Sequence, residues 1–163
     1  MLGYTYKNRL IMELRVYYDD TDAGGVVYHA NYLKYFERGR TEYLLKRGID
    51  PAVMARNNQI FVVVWTELSF LAPAHLGETL IVEAFLESVS GATIMYDYKV
   101  WRKPSPGTSA EADLPRARQE LDKGARPTEN KLLVTGKTKM ALVDRDMKVQ
   151  RLSPEFVSRL KST

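Results

Sequence analysis

Between Asp19 and Asn31 the chain gathers most of the residue types that do chemistry: Asp19, Asp20, Asp22, the pair Gly24 and Gly25, Tyr28, and one of only two histidines, His29. The segment reads as a loop between the end of a strand and the start of a helix, and loops on a rigid scaffold are where catalytic groups collect. A helix N-terminus offers free backbone N–H groups and partial positive charge, which suit an oxyanion formed from a carbonyl. A carboxylate just upstream could attack that carbonyl or serve as general base. The glycines would let backbone approach a ligand closely. The same residues describe equally well an Asx-rich turn before a helix, and spacing alone does not choose among the three acids. His29 is open to the same two readings, structural imidazole or site residue, and His75, in a turn beside Pro73, Ala74 and Gly77, is assigned no role.

Other chemistries are poorly supported. Two distant histidines without an HExxH pattern give no metal site. The absence of cysteine excludes disulfides, thiolate metal sites and a cysteine nucleophile. Neither GxSxG nor a phosphate-binding glycine loop occurs.

The elements that must position the loop are legible on both sides. Residues 9–18 alternate, placing Leu10, Met12, Leu14, Val16 and Tyr18 on one face of a half-buried strand. From Asn31 to Lys46 the period becomes helical, with Tyr32, Leu33, Tyr35, Phe36, Tyr43, Leu44 and Leu45 on one broad face; Asn31 suits the N-cap and Gly48 the stop. Gly39 inside this helix suggests either a close approach to a sheet or a neutral surface position. After an irregular stretch from Asp50 to Asn58, Ile60 to Leu71 is a long apolar run that reads as a central strand. Leu80 to Val89 and Thr93 to Trp101 meet at Ser90–Gly91 as a hairpin. Leu132 to Val143 alternates again, with Val134, Gly136, Thr138, Met140 and Leu142 on one face, and a terminal helix is expected from Ser153 and Pro154.

Residues 103–130 hold four of the seven prolines and no aromatic residue, and read as a flexible insertion between the last two strands, with a short helix expected near Ala117 to Leu121. The whole chain of 163 residues fits one domain. Strand, long helix, then four strands make an α+β domain in which the helix packs on one sheet face. With 24 Lys and Arg against 20 Asp and Glu, the formal charge of +4 is too small for a nucleic-acid footprint but suits an anionic ligand. No run approaches the roughly 18 apolar residues of a membrane span, and the first residues lack the apolar stretch of a signal peptide; the expected location is the cytoplasm.

The stretch VYYDDTDAGGVVYHANYLKYFERGRTEYL, residues 16–44, closely resembles the 4-hydroxybenzoyl-CoA thioesterase family, nearest its bacterial branch associated with the Tol–Pal operon. Residues 72–80, APAHLGETL, are similar to that family's PA-x-x-G-D-x-L turn, with Glu78 where Asp is commoner. The resemblance implies a hotdog fold, a long central helix wrapped by a curved antiparallel five-stranded sheet. It implies a homodimer or homotetramer with active sites at the subunit interface. It singles out Asp22 as the catalytic carboxylate and places the amide that polarises the thioester carbonyl at His29, whose side chain is available to assist. Gly25, Val26, Tyr28 and Ala30 would border the substrate.

The activity so implied is hydrolysis of an acyl-CoA thioester, with coenzyme A part of the substrate and no metal or cofactor. An acyl-carrier-protein contact is a further expected partner. Two rival readings are a hotdog enoyl-CoA hydratase and a non-catalytic acyl-carrier or lipid-synthesis partner.

Overall fold

The computed structural model describes residues 3–6, 8–104 and 130–162. The expected insertion at 103–130 and its short helix therefore lie almost wholly outside the described residues. Ten segments follow in chain order: β1 (Gly3–Tyr6), β2 (Arg9–Arg15), a 3-10 turn (Tyr18–Asp20), α1 (Asn31–Leu45), α2 (Pro51–Arg56), β3 (Ile60–Phe70), β4 (Thr79–Ser90), β5 (Thr93–Arg102), β6 (Lys131–Val143) and α3 (Pro154–Lys161). The strands form one antiparallel sheet in the order β1-β2-β4-β5-β6-β3.

The alternation read from the sequence sets the inner face. Leu10, Met12 and Leu14 of β2, Leu80, Val82 and Ala84 of β4, Tyr96, Tyr98 and Val100 of β5, and Val134 and Met140 of β6 are all buried, and α1 packs against them chiefly at β2 and β4. Burying a side chain of this size stabilises by about 1.5–3 kcal/mol relative to leaving it exposed. α1 contributes Tyr32, Tyr35, Phe36, Tyr43 and Leu44 to this core. Two glycines let helix and sheet meet closely. A β-carbon at Gly39 would stand 3.3 Å from Ala84 Cβ, so the close-approach reading of that glycine holds. A β-carbon at Gly136 would fall 2.5 Å from Phe36 Cε2. The Phe36 ring stacks on Tyr98 at 4.3 Å.

The α+β class and the long central helix stand as expected, and so does the β4–β5 hairpin, turning through Gly91 at φ +58°. Gly48 ends the helix region with φ +68°, and Ser153 caps α3 by accepting from Phe156 N–H at 3.1 Å.

Several expectations are corrected. All five expected strands form, and the short β1 adds a sixth beside β2. β3 is an edge strand, not a central one: it pairs with β6 alone, and Val63, Val64, Trp65, Phe70 and Leu71 are exposed. Tyr18 leaves the buried face because the chain turns after Val16. Leu33 and Leu45 lie on the exposed side of α1. Asn31 is not the cap; Ala30 holds that position, and the Asn31 side chain instead donates to the Asp20 carbonyl at 2.8 Å. The irregular stretch contains α2, capped by Asp50 accepting from Ala52 N–H at 2.7 Å. The expected long helix and terminal helix are both present, and α2 is a third α-helix among the described residues.

Candidate active site

The loop from Val16 to Ala30 folds back on itself as a small hairpin. Tyr28 N–H donates to Asp20 O at 2.9 Å, Thr21 pairs with Val27, and Asp22 N–H donates to Val26 O at 2.9 Å. Gly25, at φ +74°, makes the reversal, its N–H returning to Asp22 O at 3.0 Å. This conformation is one that glycine adopts without penalty.

The three acids now have different surroundings. The Asp20 carboxylate accepts from Tyr17 N–H at 2.9 Å, and its carbonyl accepts from both Tyr28 N–H and Asn31 Nδ2. It holds the hairpin against the helix start. Asp19 lies exposed in the 3-10 turn. Asp22 is exposed too. Its Oδ1 accepts from Gly24 N–H at 2.8 Å, which fixes the side chain, while Oδ2 takes no hydrogen bond among the described residues.

At the other end of the hairpin Tyr28 and His29 place their rings 4.3 Å apart, tilted by 54°. Asn31 N–H closes a turn on Tyr28 O at 2.8 Å, and Leu33 N–H donates to Ala30 O. The N–H groups of His29 and Ala30, between them, have no acceptor among the described residues. No side chain caps α1, in contrast with α2 and α3. Amides left open at a helix N-terminus are ready donors to an anionic oxygen. The hairpin thus brings Asp22, Gly25 and Val26 together at its tip and Tyr28, His29 and Ala30 at its base. Beneath it, the Tyr35 phenol is pushed upward, first by burial and then by the Asp20 carboxylate.

The matching family model is that of the thioesterase superfamily, over residues 24–108, just over half the chain. The chain belongs to the thioesterase superfamily. Among thioesterases of known sequence it is similar to the acyl-CoA thioesterase YbgC of Haemophilus influenzae, at 43% identity over 96 residues, covering 58% of this chain and 71% of that protein. Among solved thioesterase structures, a probable thioesterase from Bartonella henselae is 29% identical with a TM-score of 0.67, over 88% of this chain and 98% of that one. A variant 4-hydroxybenzoyl CoA thioesterase complexed with 4-hydroxybenzoyl CoA shares the fold with a TM-score of 0.75 at 16% identity, over 95% and 99% of the two chains.

Two features of this thioesterase chain were not legible beforehand. A cavity of about 170 Å³ lies between α1 (Glu37, Arg40), α2 (Met54, Ala55) and β3 (Phe61), with Met140 on its wall. It depends on α2, whose Asp50–Pro51 start was a readable N-cap and N1 signal. The second is the attachment of the 72–78 turn, itself read from the sequence, to both ends of the loop by hydrogen bonds. Among the described residues no three His, Cys, Asp or Glu side chains cluster so as to hold a metal ion, and no helix is long and apolar enough to cross a membrane.

Proposed function

We propose that this protein hydrolyses acyl-CoA thioesters, with Asp22 and the helix-start amides as the two halves of its site. The observation that carries the reading is a carboxylate with one uncommitted oxygen on a hairpin whose other end is an uncapped helix N-terminus. The similarity to an acyl-CoA thioesterase over most of that relative's length supports the substrate class.

In this reading the thioester carbonyl oxygen lies against the N–H of His29, with Ala30 N–H beside it. Asp22 Oδ2 either attacks the carbonyl carbon or takes a proton from the water that does. The carbonyl oxygen gains negative charge, which the amides and the helix dipole stabilise. The C–S bond then breaks with its electron pair leaving on sulfur. Thiolate is a good leaving group, so the step requires no metal or organic cofactor. On the nucleophilic route water subsequently cleaves the acyl–Asp22 anhydride, giving free acid and restoring the carboxylate. Gly25 and Val26 keep the hairpin tip thin, and Tyr28 borders the acyl group.

The acyl end would run along the side of α1 toward the cavity at Glu37, Arg40 and Met54. Glu37 lies seven residues beyond Ala30, about 10 Å along the helix, so only a long acyl chain would bring its end into this space of about 170 Å³. The exposed apolar row of β3, Val63, Val64 and Trp65, is an unpaired edge suited to a second copy of the chain; sedimentation that returned only monomers would remove this element. Thiol release from a panel of short, long and aromatic acyl-CoAs by the purified protein tests the proposal. Release from none of them would overturn it.

A further inference from the structure

Both ends of the Val16–Ala30 loop are hydrogen-bonded to one turn. Val16 N–H donates to Glu78 O at 2.9 Å and Gly77 N–H returns to Val16 O at 3.0 Å, which fixes the entry. Val27 N–H donates to Ala74 O at 2.8 Å and Val26 pairs with His75, which fixes the exit. Ala74 is fully buried, and its backbone lies beside the phenol of Tyr32, the second residue of α1. The position of the hairpin and of the helix start thus depends on where residues 73–78 sit.

That turn is in its own right held by a carboxylate and a guanidinium. Glu78 Oε2 accepts from His75 N–H at 3.0 Å, closing the turn, while Oε1 lies 3.0 Å from Arg102 Nε and 3.4 Å from His75 Nδ1. Arg102, the last residue of β5, also donates from its guanidinium to Pro73 O at 2.8 Å. One side chain therefore grips both ends of the turn, and it comes from a strand whose register with β4 is fixed by the ladder Leu80↔Arg102. Side chains of the pair are 23% and 27% exposed, so solvent screens their attraction only in part.

We infer that Glu78 and Arg102 are positioning residues, which set the Asp22 hairpin relative to the helix-start amides through the 73–78 turn. Neither touches the reacting atoms. Their effect passes through Pro73 O, His75 N–H and the Val27–Ala74 hydrogen bond. For its kinetic arm this inference rests on the thioesterase reading above.

The test uses the full chain with Glu78→Gln, Arg102→Gln and the double variant, read by acyl-CoA turnover and by residue-resolved amide exchange. Each single change is expected to lower kcat by about tenfold, since displacements near 1 Å at a reacting centre carry losses of that order or more. KM should stay within about twofold, because no substrate contact is removed. The Val27 and Gly77 amides should exchange at least about tenfold faster while the β4–β5 ladder keeps its protection, as local opening requires. Because both changes break the shared Glu78–Arg102 ion pair, the double variant should lose less than the product of the two single losses. Unchanged Val27 exchange, multiplicative losses in the double variant, or a uniform loss of protection across the sheet would each overturn the inference. If the wild-type chain released no thiol, the thioesterase reading would fall and the exchange arm alone would decide the positioning role.

Discussion

Gly136 of β6 and Phe36 of α1 lie so close that a β-carbon on the glycine would stand 2.5 Å from the Phe36 ring and 2.8 Å from the Glu67 backbone carbonyl. The second neighbour is backbone and cannot swing away. Gly136→Ala is therefore expected to destabilise by about 1–3 kcal/mol, the usual penalty for overpacking. Thermal unfolding checks this, at about 2–4 °C of Tm for each kcal/mol. An unchanged Tm would mean that α1 does not rest on β6 as described.

That contact was half visible beforehand. Gly136 stood on the correct face of the last strand because alternation is a local signal, and Leu10, Met12, Leu14, Val134 and Met140 were placed inward for the same reason. The strand position of Ile60–Phe70 was not visible. A continuous apolar run is what a strand buried on both faces looks like, yet Val63, Val64 and Trp65 are exposed at the sheet edge in the isolated chain. Order within a sheet is set by long-range pairing, which a local pattern does not encode.

The site was legible in its parts and not in its geometry. Periodicity marked the loop and the helix, and the resemblance across residues 16–44 singled out Asp22. Nothing in the spacing separated a carboxylate used to hold the hairpin, Asp20, from one with a free oxygen, Asp22. The dependence of the hairpin on Ala74, Glu78 and Arg102 required the tertiary structure, since β5 and the 72–78 turn are distant from it in sequence.

The buried phenols make a pH prediction. Burial raises Tyr43 to about 12, with Arg47 pulling it partly back. Burial likewise raises Tyr98 to about 12, opposed by the positive charge of Arg40. Folded values above the ordinary 10.0 mean that the folded state binds these protons more tightly than the unfolded one. Their contribution is thus fully present below pH 10 and lost as pH rises from 10 toward 12. Denaturant midpoints taken alongside tyrosinate absorbance check this; stability that held flat through that range would contradict it.

The cavity gives a specificity prediction. Ala55 of α2 lines it and is only half-buried, so Ala55→Phe can fill the space without disturbing the main core. Hydrolysis of long-chain acyl-CoAs should fall by about tenfold or more, within the 1–3 kcal/mol that hydrophobic-pocket contacts supply, while a two-carbon acyl group, too short to reach the cavity, is unaffected. Equal loss for every acyl length would place the acyl end elsewhere.

Two substitutions at one position separate side chain from backbone at the helix start. His29→Ala keeps the N–H and is expected to cost less than about tenfold, below the usual range for a general acid or base. In the turn closed by Asn31 N–H on Tyr28 O, His29 holds the second position, where proline is favoured. His29→Pro therefore removes the N–H at little conformational cost, and should lower kcat by about 10²–10³-fold, as loss of an oxyanion donor does. Similar small effects from both changes would remove His29 N–H from the mechanism.

The most direct measurement is acyl-CoA hydrolysis by Asp22→Asn, followed as release of free thiol. Asparagine keeps a carbonyl oxygen to accept from Gly24 N–H, so the hairpin survives the change. What it lacks is a charged oxygen to attack the carbonyl or take a proton from water. Turnover should drop by about 10²-fold or more, with Tm close to wild type. A folded Asp22→Asn protein that released thiol at nearly the wild-type rate would contradict the central claim.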